Sequence, residues 1–137
     1  MMKIVKAFPP NYSEICKKIP AVKLKKSIVF CYGDTIYSPS NDKLSADLIA
    51  HEEVHQRQQQ KMAVELWWEQ YLTNVDFRLM QEVEAYRRQV LIINENYGRD
   101  QRRKLTKGII KDLCGEMYGK IVSPETAKQL IKEENDE

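Results

Sequence analysis

The chain has two histidines, His51 and His55, and both fall in one stretch, "AHEEVHQRQQQ", residues 50–60. Four residues of α-helix return the chain to within about 40° of the same face, about 6 Å further along, so both imidazoles can reach one metal ion. Zinc accepts imidazole nitrogens at about 2.0–2.1 Å, and a catalytic zinc keeps one position for water. Glu52 follows the first histidine and projects beside the ligand face, where it can take a proton from water without occupying the metal. Two ligands and a general base are what the H-E-x-x-H spacing provides. The bland alternative is two histidines packed or solvated on one helix. Random placement of this chain's histidines and glutamates gives the pattern roughly once in a thousand, which favours the metal.

Two histidines leave a catalytic zinc one protein ligand short. With no third histidine, a carboxylate must serve. "FRLMQEVEAYRRQ", residues 77–89, offers Glu82 and Glu84 on a later helical stretch. They lie about 200° apart around a helix, so only one can face the metal.

His51-Glu52-x-x-His55, followed on another helix by Glu82-x-x-Ala85, resembles the gluzincin class of zinc metallopeptidases, whose glutamate helix carries E-x-x-A-D or E-x-x-S-D. The likeness spans roughly residues 27–90 and is similar to small, single-domain phage or bacterial members. It implies a zincin-like core in which His51, His55 and Glu82 bind Zn2+ and Glu52 is the general base of peptide-bond hydrolysis. Glu84 would then point away, facing solvent or supporting the ligands from behind. The resemblance also implies an edge strand ahead of the motif helix that reads an extended peptide or protein substrate by strand addition, with "DTIYSP", residues 34–39, as the candidate.

The chain departs from the family pattern at Tyr86, where the family has an acid that hydrogen-bonds a ligand histidine. Asp47, one turn before His51, or a backbone carbonyl would have to fix the ring instead. An oxyanion donor is also required, and here it must be a tyrosine or arginine; Tyr86 comes first and Tyr37 second. The reading is a zinc metalloendopeptidase. The alternative is a catalytically inactive zinc-binding module of the same fold, serving regulation or protein interaction, and position 86 is the feature that favours it.

The elements that position these residues follow from pattern. "YSEICKKI", opened by a capping-box-like Asn11 and Glu14, is a short helix stopped by Pro20. In "KSIVFCYGDTIYSPS", β-favouring residues flank the two-residue turn Gly33-Asp34, a hairpin signal. Ser45 is a plausible cap for one long helix from Ala46 to about Met62. "VELWWEQYL" is apolar and aromatic, with Trp67-Trp68 expected in the core. Long helices follow over about 76–97, ending at Gly98, and about 100–118, ending at Gly119. Ser123-Pro124 opens a last helix, and the acidic "EENDE" tail should fray. The fold class is therefore mainly helical α+β, a small β-hairpin or sheet packed on long helices. It forms one domain over 1–137, with a metal-site core at about 27–97 and C-terminal helices at about 100–134.

Composition narrows the rest. With 42% hydrophobic and 31% charged residues the chain has the profile of a soluble globular domain. Its net charge of +2 gives no strong pull toward nucleic acid or an anionic membrane, and the basic stretch "GRDQRRKLTKG" reads as a solvated helix face. Cys16, Cys31 and Cys114 form no C-x-x-C and read as packing residues in a reducing compartment. No signal-like or membrane-spanning apolar run is visible, so a cytoplasmic protein is expected.

Overall fold

The computed structural model describes residues 2–25, 27–41 and 43–132. The "EENDE" tail lies outside the described residues. The chain is mainly helical with a small sheet. Strand β1 (Lys3–Val5) is followed by α1 (Tyr12–Lys18) and a 3-10 turn over Pro20–Leu24. The hairpin β2 (Phe30–Tyr32) and β3 (Thr35–Tyr37) comes next. Helices α2 (Ala46–Met62), α3 (Val64–Thr73), α4 (Val75–Asn96) and α5 (Arg99–Leu113) follow. A 3-10 turn over Glu116–Tyr118 then leads to α6 (Pro124–Lys132).

The hairpin turns where glycine permits it, with Gly33 at φ 64°. Sheet order is β1-β3-β2, with β1 parallel and β2 antiparallel to β3. The "DTIYSP" strand is therefore central, and the expectation that it forms a peptide-reading edge is corrected. Residues 3–5, a strand too short to announce itself by alternation, occupy the side it would have offered. The edge nearer α2 is β2.

Helix ends show which local signals acted. Asn74 Oδ1 accepts from the Phe77 N–H at 3.1 Å and starts α4, while Ser123 Oγ accepts from the Thr126 N–H at 3.1 Å and starts α6. Asn11 and Ser45 make no such cap bond. The helix expected to run on to Tyr118 ends at Leu113, and the chain turns through Gly115 into the 3-10 turn before reversing at Gly119, φ 74°. The break between α2 and α3 is at Ala63, φ 89°.

Three apolar clusters result, two large and a small one of Met2, Cys31 and Ile36 at the sheet. Leu79, Val83, Val90 and Ile93 of α4 pack with Ile109 and Leu113 of α5, Tyr118, and Ala127 and Ile131 of α6. On the other side Ile15, Ile19, Phe30, Trp67, Trp68 and Tyr71 pack together, so both tryptophans are core. Cys16 and Cys31 are buried and Cys114 half-buried, all three as free thiols. Between the interiors α2 and α4 make the most extensive helix contact of the fold. Among the described residues, no helix is long and apolar enough to cross a membrane.

Candidate metal centre

The α2–α4 contact is lined with polar side chains. Helix α2 buries Asp47, His51, His55 and Gln59, a run of i, i+4 neighbours, with Glu52 and Gln58 beside them. Helix α4 answers with Arg78, Glu82 and Gln89. Buried polar groups are costly unless paired, so the partners of each one matter.

His51 Nε2 lies 2.9 Å and His55 Nε2 3.1 Å from the same oxygen, Glu82 Oε1. Ligand atoms of the three residues all fall within 4.8 Å of one another, and all three residues are buried. This group can hold a metal ion. Glu84 is exposed on α4 and its carboxylate turns to Gln58, so Glu82 is the glutamate that meets the histidines.

The far sides of the rings are also engaged. His51 Nδ1 is 2.9 Å from Gln89 Oε1, and Gln89 Nε2 donates to Asp47 Oδ2 at 2.9 Å. Tyr97 donates its hydroxyl to Asp47 Oδ1 at 3.0 Å. His55 Nδ1 is 2.8 Å from Gln58 Oε1, and Gln58 Nε2 donates to Glu84 Oε1 at 2.6 Å and to the Gln81 carbonyl at 3.1 Å. Asp47 thus stands behind His51, but through Gln89 rather than by direct contact. Glu82 Oε2 accepts from the Tyr71 hydroxyl at 2.6 Å.

Donor chemistry tests whether a cation fits. Each glutamine gives its N–H groups to acceptors, so its carbonyl oxygen must face the histidine, and each Nδ1 must carry the proton. Both Nε2 lone pairs then point at Glu82 Oε1, so three acceptors converge with no donor between them. A proton or a metal ion resolves that arrangement. Ligands at zinc distances sit about 3.3 Å apart in a tetrahedron, so the observed 2.9 and 3.1 Å need to open by only a few tenths.

Electrostatics of the metal-free cluster agree. Burial alone would push the His55 imidazole down, but the Glu82 carboxylate, with help from Glu52 and Gln58, holds its pKa up at about 9. Burial opposes ionisation of Glu82 as well, yet His55 and His51 hold its carboxyl well below the usual range. A proton on His55 therefore stands where the metal would.

Glu52 is buried beside this group, its Oε2 3.9 Å from His51 Nε2. Burial raises its pKa against the opposing pull of His51 and His55. Tyr86 stacks edge-on to His51 with ring centroids 4.5 Å apart. The Tyr86 and Tyr118 hydroxyls meet in a side-chain hydrogen bond, and burial, with Glu82, raises both pKa values well above the usual one. Both tyrosines line a cavity of about 640 Å3 that also meets Glu52, His51, His55, Glu82 and β2. Tyr37 does not line it, packing instead against the Ile15–Phe30 cluster.

Gln58, Gln89, Tyr71 and Tyr118 were not singled out from sequence. The only signal for the glutamines was their helical spacing, Gln58 three residues after His55 and Gln89 seven after Glu82. Gln59 serves the sheet instead. Its Oε1 accepts from the Gly33 N–H at 2.7 Å and its Nε2 donates to the Cys31 carbonyl at 2.8 Å, tying β2 to α2. Arg78 spans the Tyr71 carbonyl at 2.8 Å and the Met117 carbonyl at 2.7 Å, fixing both flanks of the cavity.

No protein-family model, no curated protein and no solved structure matches this chain.

Proposed function

We propose that the chain is a zinc-dependent peptidase with a zincin-like, gluzincin-type site, in which His51, His55 and Glu82 bind zinc and Glu52 is the general base. The observation that carries this reading is the position of Glu52. It is a buried carboxylate beside the ligand set, outside it, and facing a cavity large enough for a side chain and its flanking backbone. Bound zinc would supply Lewis acidity and a water acidified toward neutral pH. Glu52 takes the proton of the attacking water and passes it to the leaving amine. Its raised pKa suits both halves of that transfer. Tyr86, protonated at neutral pH because burial and Glu82 raise its pKa, is the donor available to a developing oxyanion. Strand β2, the edge beside the cavity, replaces β3 as the backbone along which a substrate would lie.

The test compares wild type with Glu52→Gln for zinc content and for cleavage of a peptide library. Zinc content is expected to be equal, with turnover falling about 10²–10⁴-fold in the variant. Equal cleavage by both proteins would remove Glu52 from the chemistry. Zinc binding with no cleavage by wild type would end the peptidase reading and leave the inactive zinc-binding module, the reading that Tyr86 in place of the family acid favours.

A further inference from the structure

The two histidines are supported in the same manner but in different surroundings. Behind His51 the sequence of hydrogen bonds is Tyr97, Asp47, Gln89, His51, and Asp47 and Gln89 are 3% and 6% exposed. Behind His55 it is Glu84, Gln58, His55, and Glu84 is exposed. In each the glutamine meets a carboxylate, Asp47 or Glu84, an acceptor with no proton to give. That acceptor sets the direction of every bond: the amide N–H points to the carboxylate, the amide oxygen to Nδ1–H, and the bare Nε2 to the metal position.

We propose that Gln89 with Asp47, and Gln58 with Glu84, are positioning pairs that fix the tautomer and ring orientation of the two metal-binding histidines, the buried Gln89–Asp47 pair carrying the greater share. The proposal rests on the metal-centre reading. Together the pairs do what the acid expected at position 86 would do by direct contact, with a neutral amide placed between charge and ring. Groups of this kind affect metal affinity by about 10–100-fold when removed. The two pairs differ in what backs them. Asp47 is held by a second donor, Tyr97, in a buried setting where the hydrogen bond is strong. Water competes for Glu84, although the Gln81 carbonyl gives Gln58 a second acceptor.

The experiment uses the full chain and Zn2+ as probe, with affinity measured by competition against a chromophoric chelator. Gln89→Met and Gln58→Met keep side-chain length and remove the hydrogen bonds. Gln89→Met is expected to weaken Zn2+ binding toward the upper end of that 10–100-fold range, Gln58→Met toward the lower, and Glu84→Gln by less than about threefold. Histidine-ring nitrogen NMR supplies a reading that general loosening would not imitate. Wild type should show both rings protonated at Nδ1 with slow solvent exchange, and Gln89→Met should lose that protection at His51 alone. Unchanged affinity and unchanged His51 signals in Gln89→Met overturn the proposal, as does an equal loss of protection at both rings. If wild type binds no Zn2+, the metal reading fails separately. The ring signals of the metal-free protein then decide the pairs by themselves, free exchange of Nδ1–H in wild type counting against them.

Discussion

Helix α4 belongs to two interiors, the apolar cluster with α5 and α6 and the polar contact with α2, and its two buried stripes are offset by one residue. Leu79, Val83, Val90 and Ile93 face α5 and α6, whereas Arg78, Glu82, Ala85 and Gln89 face α2 and the end of α3. The first stripe packs into an apolar cluster and is held mainly by burial, a force without direction. The second is held by hydrogen bonds that each specify an atom. Apolar packing tolerates a change of shape at a graded cost, while a buried polar network fails where one member goes unpaired. The two stripes should therefore separate stability from metal binding.

Two substitutions make that separation visible. Glu82→Ala removes the oxygen both histidines face and the acceptor of Tyr71, so stoichiometric zinc binding should be lost. Leu113→Ala, in the apolar interior, should cost about 2–5 kcal/mol of unfolding free energy and leave one zinc per folded chain. Metal analysis with thermal or urea unfolding reads both. Zinc retained by Glu82→Ala but lost by Glu84→Ala would reverse the ligand assignment, and zinc lost from folded Leu113→Ala would show that the two interiors are not separable.

The same offset explains what the sequence made legible. Hydrophobic spacing at 79, 83, 86, 90 and 93 announces a helix and its apolar face, and the order of the long helices was legible from local signals of spacing and caps. The stripe at 78, 82, 85 and 89 has the composition of a solvated face, because periodicity reports burial only when the buried residues are apolar. His51 and His55 escaped that blindness through the rarity of their spacing, and Glu82 through its pairing with Ala85. Gln58 and Gln89 had neither advantage. Tertiary contact produced what local pattern could not: β1 reaching β3 across thirty residues, Gly115 ending α5 early, and the Ala63 break.

A finer distinction between the interiors comes from pH. In the metal-free protein the pKa of His55 is raised from its ordinary 6.5 to about 9, so the folded state holds that proton more tightly than the unfolded chain. Its contribution to stability is complete below pH 6.5 and is lost as pH rises through about 9. Glu52, also raised, contributes in the same sense above its ordinary pKa; Glu82, lowered, loses its contribution only in acid. The chelator-treated protein should therefore melt at lower temperature at pH 9 than at pH 6. Bound zinc would take the place of the His55 proton, so a zinc-loaded protein should lose most of this slope. Leu113→Ala should melt lower throughout with the slope intact. A metal-free melting temperature that is flat or rises from pH 6 to 9 would contradict the His55–Glu82 pairing.

The smallest expected effect concerns the two joints. On the polar side the chain passes from α2 to α3 through Ala63 at φ 89° and ψ 140°, a region that side chains rarely adopt. On the apolar side the reversal before α6 uses Gly119 at φ 74°, where an added Cβ would meet Val75 Cγ2 at 3.0 Å. Glycine stands where both backbone and space require it, and alanine where backbone alone does. Strain of this kind costs about 1–3 kcal/mol, and glycine gives back about 0.4–1 kcal/mol through the greater freedom of the unfolded chain. Ala63→Gly should therefore raise unfolding free energy by about 1 kcal/mol, whereas Gly119→Ala should lower it. Urea unfolding reads both, and a loss of stability in Ala63→Gly would mean that contacts of the Ala63 methyl outweigh the strain. Because Ala63 joins the helix of His55 to the helix of Tyr71, zinc affinity in Ala63→Gly is the companion measurement. Unchanged affinity confines the strain to the joint, and weaker affinity assigns it to holding Tyr71 against Glu82.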